Sequence, residues 1–232
     1  MHITTRRLFA CVLTAITVAM LVTAPAAKAA LRSPQVPVTG TALQSFFTSQ
    51  GQLINVGTDQ LDAQTFGEPV GSGFEMHTFL AGGATVGVYN AAAASPPLYL
   101  VFPGAAAQGW FASASFRASP DRLVVNLFDN NAAFVLSTTY LAGPPDHNDF
   151  GFWAATPAGL AFSQDARNAS ERAQVLAFAV TGTGGAGSTW LAFEGTPGPG
   201  GDFADVVGLV TLASAPVPTT PSSWGRLKLL YH

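Results

Sequence analysis

Short runs of alternating or wholly apolar residues, broken by Gly, Pro, Asn or Asp, fill this chain from residue 74 onward. Eleven such runs stand at 74–80, 85–89, 98–102, 110–116, 122–128, 133–141, 150–154, 159–163, 174–180, 189–194 and 206–212. Side chains alternate between the two faces of a strand, so runs of this length bounded by turn formers predict strands. Many short strands at close, even spacing predict a sandwich or barrel. Several runs, such as Leu98-Tyr99-Leu100-Val101-Phe102, are apolar on both faces, as strands buried between two layers are. The expectation is an all-β fold: a two-sheet β-sandwich, jelly-roll-like, forming one domain over residues 40–212. One short N-terminal helix is predicted at 41–50. There Leu43, Phe46 and Phe47 share a face, Thr41 stands at the cap and Gly51 can end the helix. Residues 30–39, with two prolines, read as a lead-in arm.

Composition narrows the function. Only 10% of the 232 residues are charged, against about 25% in an ordinary domain. Hydrophobic residues reach 48%, so the chain is not of the disordered class, which is polar and highly charged. A formal charge of −3 and a pI of 5.7 do not suit a nucleic-acid binder. A single cysteine supports neither an intrachain disulfide framework nor a cysteine-rich zinc site.

Residues 1–29 read as a signal peptide. Arg6 and Arg7 form a basic start, residues 8–22 an apolar run, and Ala27-Lys28-Ala29 a small-residue cleavage pattern. The apolar run is shorter than the roughly 20 residues of a membrane span. Cleavage before Ala30 and a periplasmic or extracellular location are expected. Thr5-Arg6-Arg7-Leu8-Phe9 is also similar to a twin-arginine motif, although ordinary basic charge accounts for it. The remaining chain is free of cysteine and carries seven basic against thirteen acidic residues. Residues 213–232 form a Pro-, Ser- and Thr-rich tail with no room for a transmembrane anchor.

Catalytic signatures are absent. No H-E-x-x-H and no G-x-S-x-G occurs, and His77, His147 and His232 share no metal-ligand spacing. The Gly-rich stretch 182–187 lacks the Lys-Ser/Thr ending of a phosphate loop. The chain is therefore read as no enzyme. The acidic residues say more, being few. Glu194 closes one apolar run, and Asp202 and Asp205 open the next. If the two runs form a hairpin, three carboxylates gather at its closed end. Calcium takes six to eight oxygens on a pliable loop, and the intervening glycines can turn carbonyls inward; turn chemistry is the competing use of Asp. Asp149, in Asp146-His147-Asn148-Asp149, is a further candidate oxygen ligand. Asp165 is another, or else a partner for Arg167. Tyr99, Trp110, Phe111, Tyr140, Trp153 and Trp190 stand in or beside strands. Exposed, they would stack on sugars; buried, they would build the core. Trp110, after Gln108-Gly109, is the best candidate for exposure.

The run Trp190-Leu191-Ala192-Phe193-Glu194, a Gly-rich gap, then Gly201-Asp202-Phe203-Ala204-Asp205-Val206-Val207 resembles an exported bacterial domain of unknown function. Its pattern is roughly F-E-D, a gap, then G-D-x-D-F-N-D-V-V. The stretches Asn148-Asp149-Phe150-Gly151-Phe152, Phe162-Ser163-Gln164-Asp165 and Val101-Phe102-Pro103-Gly104 are similar to it as well. Such proteins often end in a PEP-CTERM sorting signal, and residues 215–224 resemble its opening. Gly195, Gly200 and Ala204 replace oxygen-bearing residues of the pattern, and the tail stops before an apolar span. The resemblance implies a non-catalytic cell-surface or exopolysaccharide-matrix protein. It implies a weak calcium site at most, formed by Glu194, Asp202 and Asp205 with Asp149. The alternative expectation is a carbohydrate-binding module that uses exposed aromatics.

Overall fold

A computed structural model describes residues 29–212 apart from 70, 81–82, 105–107, 119–120, 142, 182–186 and 197–200. The leader before Ala29, the tail and His232 lie outside the described residues. Twelve strands form two antiparallel sheets, so the expected two-sheet all-β sandwich is what the chain adopts. The strands are β1 (Gln60–Leu61), β2 (Gly73–Leu80), β3 (Thr85–Asn90), β4 (Leu98–Phe102), β5 (Phe111–Arg117) and β6 (Arg122–Phe128). They continue as β7 (Phe134–Tyr140), β8 (Phe150–Thr156), β9 (Gly159–Phe162), β10 (Val175–Ala179), β11 (Ser188–Phe193) and β12 (Val206–Leu212). The large sheet runs β1-β10-β11-β12-β2-β5-β6-β7 and the small sheet β4-β3-β8-β9.

The main core lies between the sheets. Phe74 and Met76 of β2, Leu123, Val125 and Leu127 of β6, and Val86 and Val88 of β3 are buried in it, with Phe150 and Phe152 of β8. Strands β2, β5 and β6 alternate strictly, one face buried and one turned outward. Strands β10 and β11 and the start of β12 are buried on both faces because the helix α1 (Ala42–Ser49) covers their outer side. Leu43, Phe46 and Phe47 pack there against Leu176, Phe178 and Trp190. Phe47 meets Phe178 edge-on at 5.1 Å, and Phe46 meets Trp190 at 5.5 Å. An eight-residue helix is unstable alone. Burying Leu43 and Phe47 contributes about 1.5–3 kcal/mol each and holds it in place. Thr41 takes the N-cap position but its side chain makes no capping bond. Gly51 ends the helix at φ +66°.

One expectation needs correcting. The 98–102 run is not buried on both faces along its length: β4 is an edge strand, with Leu98 40% exposed, Leu100 half-buried, and Tyr99, Val101 and Phe102 buried in the core. The lead-in arm is fastened to the domain. The Arg32 N–H donates to the Gln60 carbonyl and the Asp62 N–H to the Ala30 carbonyl, both at 2.8 Å. The buried Gln60 amide accepts from the Val36 N–H and donates to the carbonyls of Val36 and Val56.

The sheet edges are treated unequally. The arm covers β1. At β4, the Leu100 N–H and carbonyl are both taken by the Tyr140 hydroxyl. At β9, the Phe162 N–H and carbonyl are both taken by the Asn168 amide, at 2.8 Å each. Each side chain stands in for a missing strand. Among the described residues nothing does this for β7.

Candidate functional site

The hairpin between β11 and β12 brings Glu194, Asp202 and Asp205 to its closed end, as expected. Their oxygens mostly serve the local backbone. Glu194, 8% exposed, accepts the Thr196 N–H through Oε1 at 3.0 Å and the Phe203 N–H through Oε2 at 3.3 Å. Asp205 Oδ2 accepts the Gly195 N–H at 2.8 Å. Asp202 Oδ1 accepts the Ala204 N–H at 3.0 Å, an Asx turn. Gly201 lies so close that a Cβ there would collide with the Glu194 carboxylate. Phe203 adopts a left-handed φ of +51° and drops its ring into the core beneath α1. Asp149 stands at the mouth of β8, where its carbonyl accepts the Ala91 N–H. Among the described residues, no three His, Cys, Asp or Glu side chains converge as a metal cluster.

The remaining polar candidates also serve the fold. Asp146 Oδ1 accepts the Asn148 N–H, and His147 Nδ1 pairs with the Glu68 carbonyl at 2.7 Å. Asp165 forms its ion pair with Arg32 rather than with Arg167. Arg167 instead donates to the carbonyls of Ala91 and Ala93 and lies 5.0 Å over the Tyr89 ring. Asn168 of the Asn168-Ala169-Ser170 sequon is the β9 edge cap described above.

The aromatic candidates divide. Tyr99, Trp153 and Trp190 are buried, at 4%, 6% and 3% exposure. Trp110 and Tyr140 pack half-buried against the main core. Of the six, Phe111 alone belongs to an outward-facing surface. The α1 helix covers the outer side of β10, β11 and the first part of β12 together with the Phe79 end of β2, and leaves the rest of β2 with β5, β6 and β7 open. On that open face the register sets His77, Phe111, Phe128 and Phe134 side by side on successive strands. Strands lie about 4.8 Å apart, so the row spans roughly 14 Å.

The rings of this row lean on one another. His77 and Phe111 stack at 5.1 Å and 19°, and Phe111 and Phe128 at 4.7 Å and 10°. Two rings side by side in one plane would need wider separation, so these pairs are face to face in the offset-stacked manner. Their faces are turned to each other and their edges to solvent. Phe134, 62% exposed and tilted 74° to Phe128, is the most exposed of the four rings. One register step away runs a polar row: Thr211, Glu75, Ser113, Asn126 and Ser137. A depression of about 400 Å³ beside it is lined by Ser72, Glu75, Ser113, Ser115, Arg117 and Thr211. Alternation within β5 and β6 hints at this face. His77 and Phe134 join it only through the strand order, which no single run reveals.

Comparison with known proteins finds no matching family model, no matching curated protein and no matching solved structure. Among the described residues, no helix is long and apolar enough to cross a membrane.

Proposed function

We propose that this chain is an exported, non-catalytic protein of the cell surface or of an exopolysaccharide matrix, and that it holds glycan on the open face of its large sheet. The observation that carries the reading is that face itself. A row of ring edges and the exposed Phe134 ring runs beside a row of hydroxyl, amide and carboxylate groups. A sugar presents the same pairing, with apolar C–H surface beside hydroxyls. Because most ring faces are already stacked, affinity rests chiefly on the polar row and Phe134, unlike a module built on upturned tryptophans. Export rests on the leader, and the matrix role on the resemblance to PEP-CTERM-type proteins.

The same reading includes a weak structural calcium at the hairpin. Among the described residues, Asp205 Oδ2 and Asp202 Oδ1 each accept a backbone N–H, so Asp205 Oδ1 and Asp202 Oδ2, with Asp149, are the oxygens offered to a cation. Calcium would then brace the last hairpin against the sheet.

Affinity electrophoresis through gels containing bacterial exopolysaccharides tests the glycan role. Retardation should be lost in the Asn126→Ala, Phe134→Ala double variant with an unchanged melting temperature. Retardation equal to the parent's, or release of reducing ends from the polymer, would overturn the reading.

A further inference from the structure

We propose that two copies of this chain pair through strand β7, joining their large sheets into one continuous antiparallel sheet. An edge strand offers a row of unpaired N–H and carbonyl groups, and proteins normally block such edges with charge, proline, a covering segment or a bulge. Here the arm covers one edge, and at two others Tyr140 and Asn168 each take the N–H and carbonyl of one residue. Among the described residues strand β7 has no such cap, and its burial pattern is that of a strand exposed on both faces over its first half.

Its chemistry is that of an interface. Phe134, Val135, Leu136 and Leu141 are exposed at 62%, 41%, 40% and 62%. These eight consecutive positions hold half of the large hydrophobic side chains exposed among the described residues. Residues 130–145 carry no charge at all. Two copies can therefore bring this edge together without setting like charges opposite each other, which destabilises strand pairs.

The strand also complements itself, as a two-fold interface requires. A bulge lies where Phe128 pairs with Phe134, and the run from Leu136 to Tyr140 is regular. Centred on Thr138, antiparallel pairing sets Leu136 opposite Tyr140 and Ser137 opposite Thr139 of the second copy. Apolar meets apolar, hydroxyl meets hydroxyl, and every pair shares a face. The outward rows of the two copies then continue one another, so a single bound polymer can run across both. That last consequence depends on the glycan reading; the pairing does not.

The test uses the processed chain, residues 30–232, which has no cysteine. Sedimentation velocity over a concentration series should show a monomer converting to a dimer. Thr138→Cys should cross-link to a disulfide dimer on mild oxidation, and Leu53→Cys, at a position 88% exposed, should not. Leu136→Lys, a charge on the edge, should return the protein to monomer with its circular dichroism unchanged. A parent that stays monomeric throughout overturns the proposal. So does a dimer that survives Leu136→Lys and cross-links no better through position 138 than through position 53. None of these readouts involves glycan, so failure here leaves the binding reading standing, and the reverse holds.

Discussion

The Tyr140 hydroxyl accepts the Leu100 N–H at 3.0 Å and donates to the Leu100 carbonyl at 3.1 Å, tying the last strand of the large sheet to the free edge of the small one. Its ring meets Tyr99 edge-on at 5.3 Å. Tyr140→Phe keeps the ring contact and removes both bonds, leaving two β4 backbone groups to find water. The expected cost is about 1–3 kcal/mol. It should appear as a lower denaturation midpoint with an unchanged slope, and a shift below a few tenths of a kcal/mol would show that water replaces the hydroxyl without loss.

The described tyrosines also set an alkaline limit. Burial raises the Tyr89, Tyr99 and Tyr140 hydroxyls above their ordinary value of 10.0, with hydrogen bonds to Tyr89 and Tyr140 pulling partly back. The unfolded chain therefore loses these protons first as pH climbs. From about pH 10 upward the unfolded state binds fewer protons, and stability falls. Below that range the contribution is fully present. Melting temperatures should hold steady at neutral pH and drop beyond about pH 10. Tyr89→Phe should flatten the drop, and an equally steep fall in that variant would assign the effect elsewhere.

How far the fold could be read depended on whether the deciding contact was local. Strands β6 and β12 stand to the residue where the runs 122–128 and 206–212 put them, β6 by alternation and β12 as an apolar run after Asp205. Strand β1 was invisible: two residues have no period, and Gln60 is buried because distant carbonyls use its amide. The 98–102 run looked doubly buried because Leu98 and Leu100 are apolar, yet nothing in a run tells a central strand from an edge. The hairpin of β11 and β12 was legible, since its two runs flank one Gly-rich connection. The aromatic row needed β2 to lie beside β5, an order set by the whole sheet. Trp190 was offered to sugars and went into the core, because α1 folds over it.

Trp190 makes the next prediction. Its ring lies edge-on to Phe46, Phe47 and Phe79 at 5.5, 5.8 and 5.0 Å. Among the described residues its buried Nε1–H has no hydrogen-bond partner. An unsatisfied buried donor costs about 1–3 kcal/mol, so Trp190→Phe removes a penalty while opening a small cavity. The two effects oppose, and the net change should stay within about 1 kcal/mol. Trp190→Ala keeps only the cavity and should cost about 3–5 kcal/mol. Urea titrations of the two variants check the contrast. Similar large losses in both would mean that the indole N–H is satisfied by water in solution.

Asp205 separates the structural and metal roles of the hairpin. Its Oδ2 holds the Gly195 N–H at 2.8 Å, and this bond exists with or without a cation. Asp205→Ala should therefore cost about 1 kcal/mol in chelator. If Oδ1 also serves a calcium ion, the parent gains stability by mass action when calcium is added, and the variant does not. The loss measured in millimolar calcium should then exceed the loss in chelator. Thermal unfolding of parent and variant under both conditions gives the four numbers needed. Equal losses would remove Asp205 as a ligand and leave it as the residue that closes the hairpin. Asp202→Asn is the companion experiment: its Asx turn survives the change because the amide oxygen still accepts the Ala204 N–H, while the charge a cation needs is gone.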